Sequence, residues 1–161
     1  MVTDKDIWEY LEEVSDPEIP VLSIVDLGVV RAVKLDDENC HVTITPTYSG
    51  CPAMKMIEVQ IIEKLQEKGL KKVSVDLVLS PAWTTDWLSE SGRNKLREYG
   101  IAPPENEVDK SVLFAEPTVV PCPLCHSRNT KMVSQFGSTA CKAHYTCNDC
   151  LEPFDYFKCL K

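Results

Sequence analysis

Apolar residues at Ile7, Trp8, Leu11 and Val14 fall at helical spacing and predict a helix over Asp4–Val14, with Thr3 or Asp4 as its N-cap. The run Ser15-Asp16-Pro17-Glu18-Ile19-Pro20 ends it, because its two prolines remove backbone donors and fix φ. Ser23–Leu27 is a short apolar piece closed by Gly28, suited to a single helical turn. The period then changes to two. Val29–Leu35 and His41–Thr47 predict strands joined through the polar residues 36–39, with Val42 and Ile44 on one face and Thr43 and Thr45 on the other.

Helical spacing returns over Pro52–Lys68, whose buried face is Met54, Ile57, Ile61, Ile62 and Leu65, with Gly69 as the C-terminal cap. Val73–Leu79 predicts a third strand with Val73, Val75, Leu77 and Leu79 on one face, stopped by Ser80-Pro81. Thr85 or Asp86 then caps a helix that runs to about Tyr99 and ends at Gly100. The pattern predicts an α+β body over residues 1–100, a small mixed sheet with packed helices. A linker over 101–118 carries three prolines and four acidic residues, with the apolar triplet Val112-Leu113-Phe114 suited to docking on one of the domains. Residues 119–161 remain for a β-ribbon with strands at Lys131–Phe136 and Phe154–Phe157. The body is long enough to bury a core of its own; a module of about forty residues needs a staple.

Cysteine supplies that staple. Six of the eight cysteines (Cys122, Cys125, Cys141, Cys147, Cys150 and Cys159) lie in the last forty residues. Cys122-Pro-Leu-Cys125 and Cys147-Asn-Asp-Cys150 are two pairs with a two-residue gap, separated by 21 residues. Such a gap turns the chain tightly enough to aim both sulfurs at one ion, and two such turns close a tetrahedral four-thiolate site. Zinc is the expected metal, an iron–sulfur cluster the alternative, and disulfides the weakest reading for a protein placed in the cytoplasm. A closed shell of four thiolates leaves no open position for hydrolysis, so the metal is expected to be structural. Cys141 and Cys159 are left over, as buried small hydrophobes or as extra thiols. His126 and His144 read as surface residues.

Charge narrows the partners. The net charge is −8, split into 12 Lys/Arg against 22 Asp/Glu in residues 1–120 and 5 against 3 in residues 121–161. An acidic body repels phosphate backbones and the tail is too poor in Lys/Arg to hold one, so nucleic acid is not expected. No apolar run reaches membrane-spanning length, and the polar, acidic N-terminus does not suit a secretory signal.

A second chemical signal lies at Cys51. It follows a predicted strand end and precedes a predicted helix, with Gly50 before it and Pro52 at the first helical position. Two readings stand side by side: a thiolate favoured by the helix N-terminus, or an inert cap. Asp16, Glu18 and Asp26 are loop carboxylates that either join Cys51 in a ligand cluster or cap helices. No phosphate-binding glycine loop, G-x-S-x-G or H-E-x-x-H occurs, and several residues of extended chain separate His41 from Cys51.

The stretches Asp16-Pro-Glu-Ile-Pro-Val-Leu-Ser-Ile-Val-Asp26-Leu-Gly28 and Thr45-Pro-Thr-Tyr-Ser-Gly-Cys51-Pro52-Ala-Met54 resemble the domain shared by iron–sulfur assembly factors of the SufT type. With Trp83-Thr-Thr-Asp-Trp87, Tyr99-Gly-Ile-Ala-Pro-Pro104, Phe136-Gly-Ser-Thr-Ala-Cys141 and Glu152-Pro-Phe-Asp-Tyr-Phe-Lys-Cys159, nearly the whole chain resembles the PaaD (PaaJ) family, encoded with phenylacetyl-CoA epoxidase. The resemblance implies an accessory role in phenylacetate degradation, maturing a multicomponent monooxygenase rather than performing the epoxidation. It places the assembly signature on Asp16, Glu18, Thr45, Thr47 and Cys51, and the ribbon ligands on Cys122, Cys125, Cys147 and Cys150. The implied cargo is transient iron or an iron–sulfur cluster, and the implied partners are the oxygenase or its iron–sulfur reductase. No catalytic activity of its own is expected. Competing readings are a stable docking subunit, anchored by Val112-Leu113-Phe114 and by Phe154, Tyr156 and Phe157, and a nucleic-acid-binding ribbon. Whether the chain forms a homodimer is left open.

Overall fold

Thr3 starts the first helix. In the computed structural model, which describes residues 1–48, 50–104 and 119–157, its hydroxyl accepts from the Asp6 amide at 3.3 Å while the Asp6 carboxylate accepts from the Thr3 amide at 2.7 Å. This reciprocal cap satisfies two donors that an open helix end leaves unpaired. Helix α1 runs over Asp4–Glu12 and buries Ile7 and Leu11. It ends before the predicted Val14, which stays buried beyond the last turn. After the prolines the chain doubles back, with the Ile24 amide donating to Val14 O at 2.9 Å. One helical turn follows, closed by the Leu27 amide on Ser23 O at 3.0 Å.

Strands β1 (Val30–Asp36) and β2 (Asn39–Ile44) form an antiparallel pair, joined by a turn in which Asp37 takes φ 52°. Cys40, Val42 and Ile44 point inward, as the alternation predicts. Helix α2 (Ala53–Glu67) buries Ala53, Met54, Ile57, Ile61 and Leu65, while Ile62 is only half-buried at the margin of that face. The helix is the crossover that lets β3 (Lys72–Leu77) pair parallel with β2, since parallel neighbours cannot be joined by a tight turn. The sheet order is β1-β2-β3. Because β3 is an edge strand and leaves the ladder after Leu77, the predicted inward face fails at its end. Leu77 is 52% and Leu79 57% exposed.

The helix predicted from residue 85 to 99 is divided. Thr85–Trp87 form a 3₁₀ turn, and α3 runs over Glu90–Tyr99. Ser89 and Asp26 explain the late start. Ser89 Oγ accepts from the Gly92 amide at 2.9 Å and donates to Asp26 Oδ1 at 3.0 Å, and the Ser89 amide donates to Asp26 O at 2.8 Å. Gly28, at φ +76°, lies under Trp87, where a Cβ would come within 2.4 Å of the Trp87 carbonyl oxygen. Trp87 in turn carries the Arg31 guanidinium 3.6 Å above its ring, and Trp83 Nε1 donates to Leu27 O at 2.8 Å.

The chain divides into two units, residues 1–83 with 87–92 and residues 84–86 with 93–161. In the second, β4 (Ile101–Ala102), β5 (Thr130–Ser134), β6 (Lys142–Cys147) and β7 (Pro153–Phe157) form a sheet in the order β4-β7-β6-β5. β6 is antiparallel to both its neighbours, and the two residues of β4 pair parallel with β7. Sequence patterning anticipates β5 and β7 but not β6, which carries Ala143, Tyr145 and Cys147 inward. Tyr145 stacks on Phe154 with centroids 5.7 Å apart and meets Tyr156 edge-on at 5.8 Å. No helix among the described residues is long and apolar enough to cross a membrane.

Candidate metal centre and thiol site

The two cysteine pairs are built alike. Each is a short turn followed at once by a residue in the left-handed region, His126 at φ 64° after Cys125 and Leu151 at φ 65° after Cys150. That conformation reverses the chain and brings backbone groups back over the turn: the His126 amide donates to Cys122 O, Cys122 N to Ser127 O, and Cys147 N to Glu152 O. A polar network ties the turns together. The Ser127 hydroxyl and the Asn129 side-chain amide both donate to the Asp149 carboxylate, and the Asn148 side-chain amide donates to Asn129 Oδ1 at 3.0 Å. Those donors hold the Asp149 carboxyl below the usual carboxylate range, Ser127 contributing most. The sequence reading missed this network. Its trace is the polar pair Asn148-Asp149 between the cysteines, opposite Ser127 and Asn129.

The four sulfurs converge. Cys122 and Cys150 Sγ are 3.7 Å apart, Cys125 and Cys147 Sγ 3.5 Å apart, and all four lie within 4.8 Å of one another. A tetrahedral ion with metal–sulfur bonds of roughly 2.3 Å sets its ligand sulfurs roughly 3.8 Å apart. The arrangement fits one metal ion, whereas a multi-iron cluster attaches its cysteines to different metal atoms and spreads them further. The thiols have unequal acidities. Cys147 is brought down to about 7, chiefly by the Cys150 backbone N–H, with Asp149 N–H and the neighbouring thiols helping against desolvation. Cys150 accepts a lowering N–H from Glu152, but desolvation and the Cys147, Cys125 and Cys122 side chains outweigh it and push the thiol up to about 12. A cation bound among the sulfurs favours their thiolate forms and releases protons.

The remaining thiols lie elsewhere. Cys141 is buried and touches the Thr139 hydroxyl at 3.1 Å, outside the four-sulfur group. Cys40 is fully buried, and desolvation with Asp4 nearby pushes its thiol up to about 11. Cys159, like Val112-Leu113-Phe114, lies outside the described residues. His144 sits 3.4 Å from Asp155 Oδ1, and His41 bonds Ser74 on the exposed face of β2 and β3, away from any nucleophile role.

The surroundings of Cys51 act on its thiol in both directions. The Ala53 backbone N–H and the Tyr48 hydroxyl do favour the thiolate, but desolvation outweighs them, and the charges of Glu18 and Asp16 push the same way, so the thiol is raised. The helix N-terminus therefore does not make it a resting thiolate. Glu18 and Asp16 are near enough for their charge to be felt at the sulfur. Asp16, 7% exposed, also caps a turn, its Oδ1 accepting from the Glu18 amide at 2.8 Å and the Ile19 amide at 2.9 Å. Asp26 stands apart from this group as the latch on Ser89. Thr45 is buried just past β2, and among the described residues its hydroxyl has no hydrogen-bond partner; Thr47 is half-buried two residues on. Among the described residues only the four ribbon cysteines draw their ligand atoms within 4.8 Å, so Cys51, Asp16 and Glu18 neighbour one another without forming a closed site. The aromatics proposed as docking anchors are overturned in that role: Phe154, Tyr156 and Phe157 are all buried, because β7 is an inner strand of its sheet.

Comparison with known proteins matches these two parts separately and together. Residues 4–81 match the family described as iron–sulfur cluster assembly protein, and residues 106–158 match the PaaD zinc beta ribbon domain. An Escherichia coli K12 protein, provisionally named as a subunit of 1,2-phenylacetyl-CoA epoxidase, is 50% identical over 155 residues, covering 96% of this chain and 92% of its own length. An Fe-S protein maturation auxiliary factor of Porphyromonas gingivalis is 38% identical over 96 residues, 58% of this chain and 90% of that protein. The crystal structure of a domain of unknown function, DUF59, from Bacillus anthracis superposes with a TM-score of 0.55 at 29% identity, covering 58% of this chain and 90% of its own. The chain belongs to the PaaD family, which joins an iron–sulfur-assembly fold to a four-cysteine β-ribbon.

Proposed function

We propose that this chain is a cytoplasmic accessory protein that helps mature the phenylacetyl-CoA epoxidase complex, taking transient iron or an iron–sulfur cluster as cargo. The body over residues 1–100 carries the transfer site, the segment 101–118 links, and the ribbon over 119–161 serves as a docking module on a structural zinc. The observation that carries the reading is the surroundings of Cys51 within an iron–sulfur-assembly fold. A half-buried thiol lies beside two carboxylates whose charge opposes its ionisation. An arriving iron ion reverses that balance, since a cation favours the thiolate and the carboxylates together. A site that is protonated when empty and ionised when loaded is suited to reversible holding. Asp16, Glu18, Thr45 and Thr47 would shape and polarise the surroundings, and no bond to the epoxidised substrate is asked of any of them.

Donor chemistry favours zinc in the ribbon, where four thiolates fill a closed tetrahedral shell with sulfur spacing to match. The client would be the oxygenase or its iron–sulfur reductase. The test is co-expression of Cys51→Ser with the other components of the epoxidase. Lowered iron in the reductase or oxygenase, with one zinc still bound per accessory chain, is the expected outcome. Unchanged iron with full epoxidase activity overturns the proposal.

A further inference from the structure

Strand β3 leaves one side of its sheet open. It is last in the order β1-β2-β3, and among the described residues no strand pairs with its other edge. The Val78 amide donates to Ile44 O at 2.9 Å, and Ile44 stands opposite Leu77 in the parallel ladder. Successive peptide groups of an extended strand point to opposite sides. Asp76 and Val78 therefore face β2, whereas Val73, Val75 and Leu77 turn their N–H and C=O toward the open edge. The side chains alternate too. Half-buried Val73 and Val75 share the face of Cys40 and Val42, and Lys72, Ser74 and Asp76 share the other with His41.

An open edge invites a further strand, and charged side chains on it discourage most comers. Lys72 and Asp76 supply that charge here, and both are exposed. Four residues of extended strand, roughly 13 Å, keep them from pairing with each other. Among the described residues neither has an ion-pair partner. The strand's own copy supplies both partners at once. Turned antiparallel about Ser74, β3 sets Lys72 opposite the second copy's Asp76, and Asp76 opposite the second copy's Lys72. Two small serines meet at the centre. On the other face Val73 meets Val75, and these are the residues whose open backbone groups can exchange N–H···O bonds. Turned about Val75 instead, the strand sets Asp76 against a serine. The edge strands β1 and β5 lack the match: about its middle residue Val33, β1 sets Arg31 against Leu35 and Lys34 against Ala32, and Lys131 is the only charge in β5.

We infer that β3 is a self-association edge, pairing antiparallel about Ser74 with β3 of a second copy of this chain. The two-fold axis stands normal to the sheet, so both copies keep α2 on the same face, and the valines of both strands close over the joint. The charges that repel an unmatched strand are the ones that select this partner. The paired stretch is short, which places the contact in the weak class of specific interfaces. The inference uses the first unit alone and is independent of the Cys51 reading, so its failure leaves that reading standing.

The test is analytical ultracentrifugation of the full-length, metal-loaded protein over a concentration series at low salt. A concentration-dependent dimer is expected. Lys72→Glu sets like charges opposite each other at both ends of the pairing, as does Asp76→Lys, so each variant alone should weaken the dimer about tenfold or more. Mixing the two variants should restore it as a heterodimer, because each chain then meets the opposite charge at both positions. Restoration also shows that neither substitution has unfolded the body. A native chain that stays monomeric throughout the series overturns the proposal. So does a dimer that both variants leave intact, which places the contact elsewhere, and so does a mixture that associates no better than its components.

Discussion

The body and the ribbon solve the same problem with different materials. In the body, Ile7, Leu11, Val42, Ile44, Ile57 and Ile61 come from two helices and a strand, and apolar burial alone closes the core. In the ribbon, the buried cluster holds Ala102, Val120, Ala143 and three aromatics, with Cys122 and Cys147 among its members and Cys150 packed against it. Three of the four converging sulfurs are thus in the core or packed against it, while Cys125 is exposed. A small core gains little from area alone, and the shortfall falls to the metal. The contrast extends to the thiols. Cys40 and Cys51 are raised by desolvation, while Cys147 is brought down by N–H groups that a knuckle turn directs at it.

The largest way to break this comparison is to remove the metal. Chelation at neutral pH should unfold the ribbon and leave the body folded, because metal binding in such modules is worth roughly 10–16 kcal/mol. Hydrogen exchange should show protection lost in β5, β6 and β7 and retained in β2 and α2; equal loss in both units would end the distinction. A smaller effect is expected from Gly28→Ala. A Cβ there meets the Trp87 carbonyl at 2.4 Å and the residue keeps a positive φ, so the body should lose about 1–3 kcal/mol in urea denaturation. The ribbon should keep its metal throughout.

The smallest effect is on pH dependence, and it sharpens the contrast between thiols. Cys40 is raised to about 11 from 9.0. The folded body therefore holds a proton that the unfolded chain gives up sooner, a contribution fully present below pH 9 and lost as pH rises through 11. Stability of the body measured from about pH 8 to about pH 11 should fall less in Cys40→Ala than in the native chain, relative to each protein's own starting value. An identical fall in both would show that Cys40 takes no part.

Much of the molecule was legible because local rules governed it. Thr3 with Asp6, the 3.6 period of Met54, Ile57, Ile61 and Leu65, and the alternation in β2 each need only near neighbours. The two cysteine pairs were legible for the same reason, a two-residue gap being a local geometric statement. What failed depended on distant partners. Leu77 and Leu79 alternate as though buried, but β3 lies at the edge of its sheet. The helix expected from Thr85 starts at Glu90 because Asp26, 63 residues before Ser89, supplies the latch. β6 went unread because its inward residues Ala143, Tyr145 and Cys147 are small, polar-tipped or part of the cysteine pairs, so a hydrophobicity pattern passes over them.

By itself, the sequence determined where helices cap, which faces are apolar, and that four thiols in two tight pairs would converge. Only the tertiary structure decided that desolvation and the charges of Glu18 and Asp16 raise the Cys51 thiol, that Phe154 and Tyr156 are core, and that Arg93, Arg97 and Arg128 share one cleft. The reason is range: caps and periodicity are fixed over a few residues, whereas desolvation and charge depend on everything the fold gathers around a group.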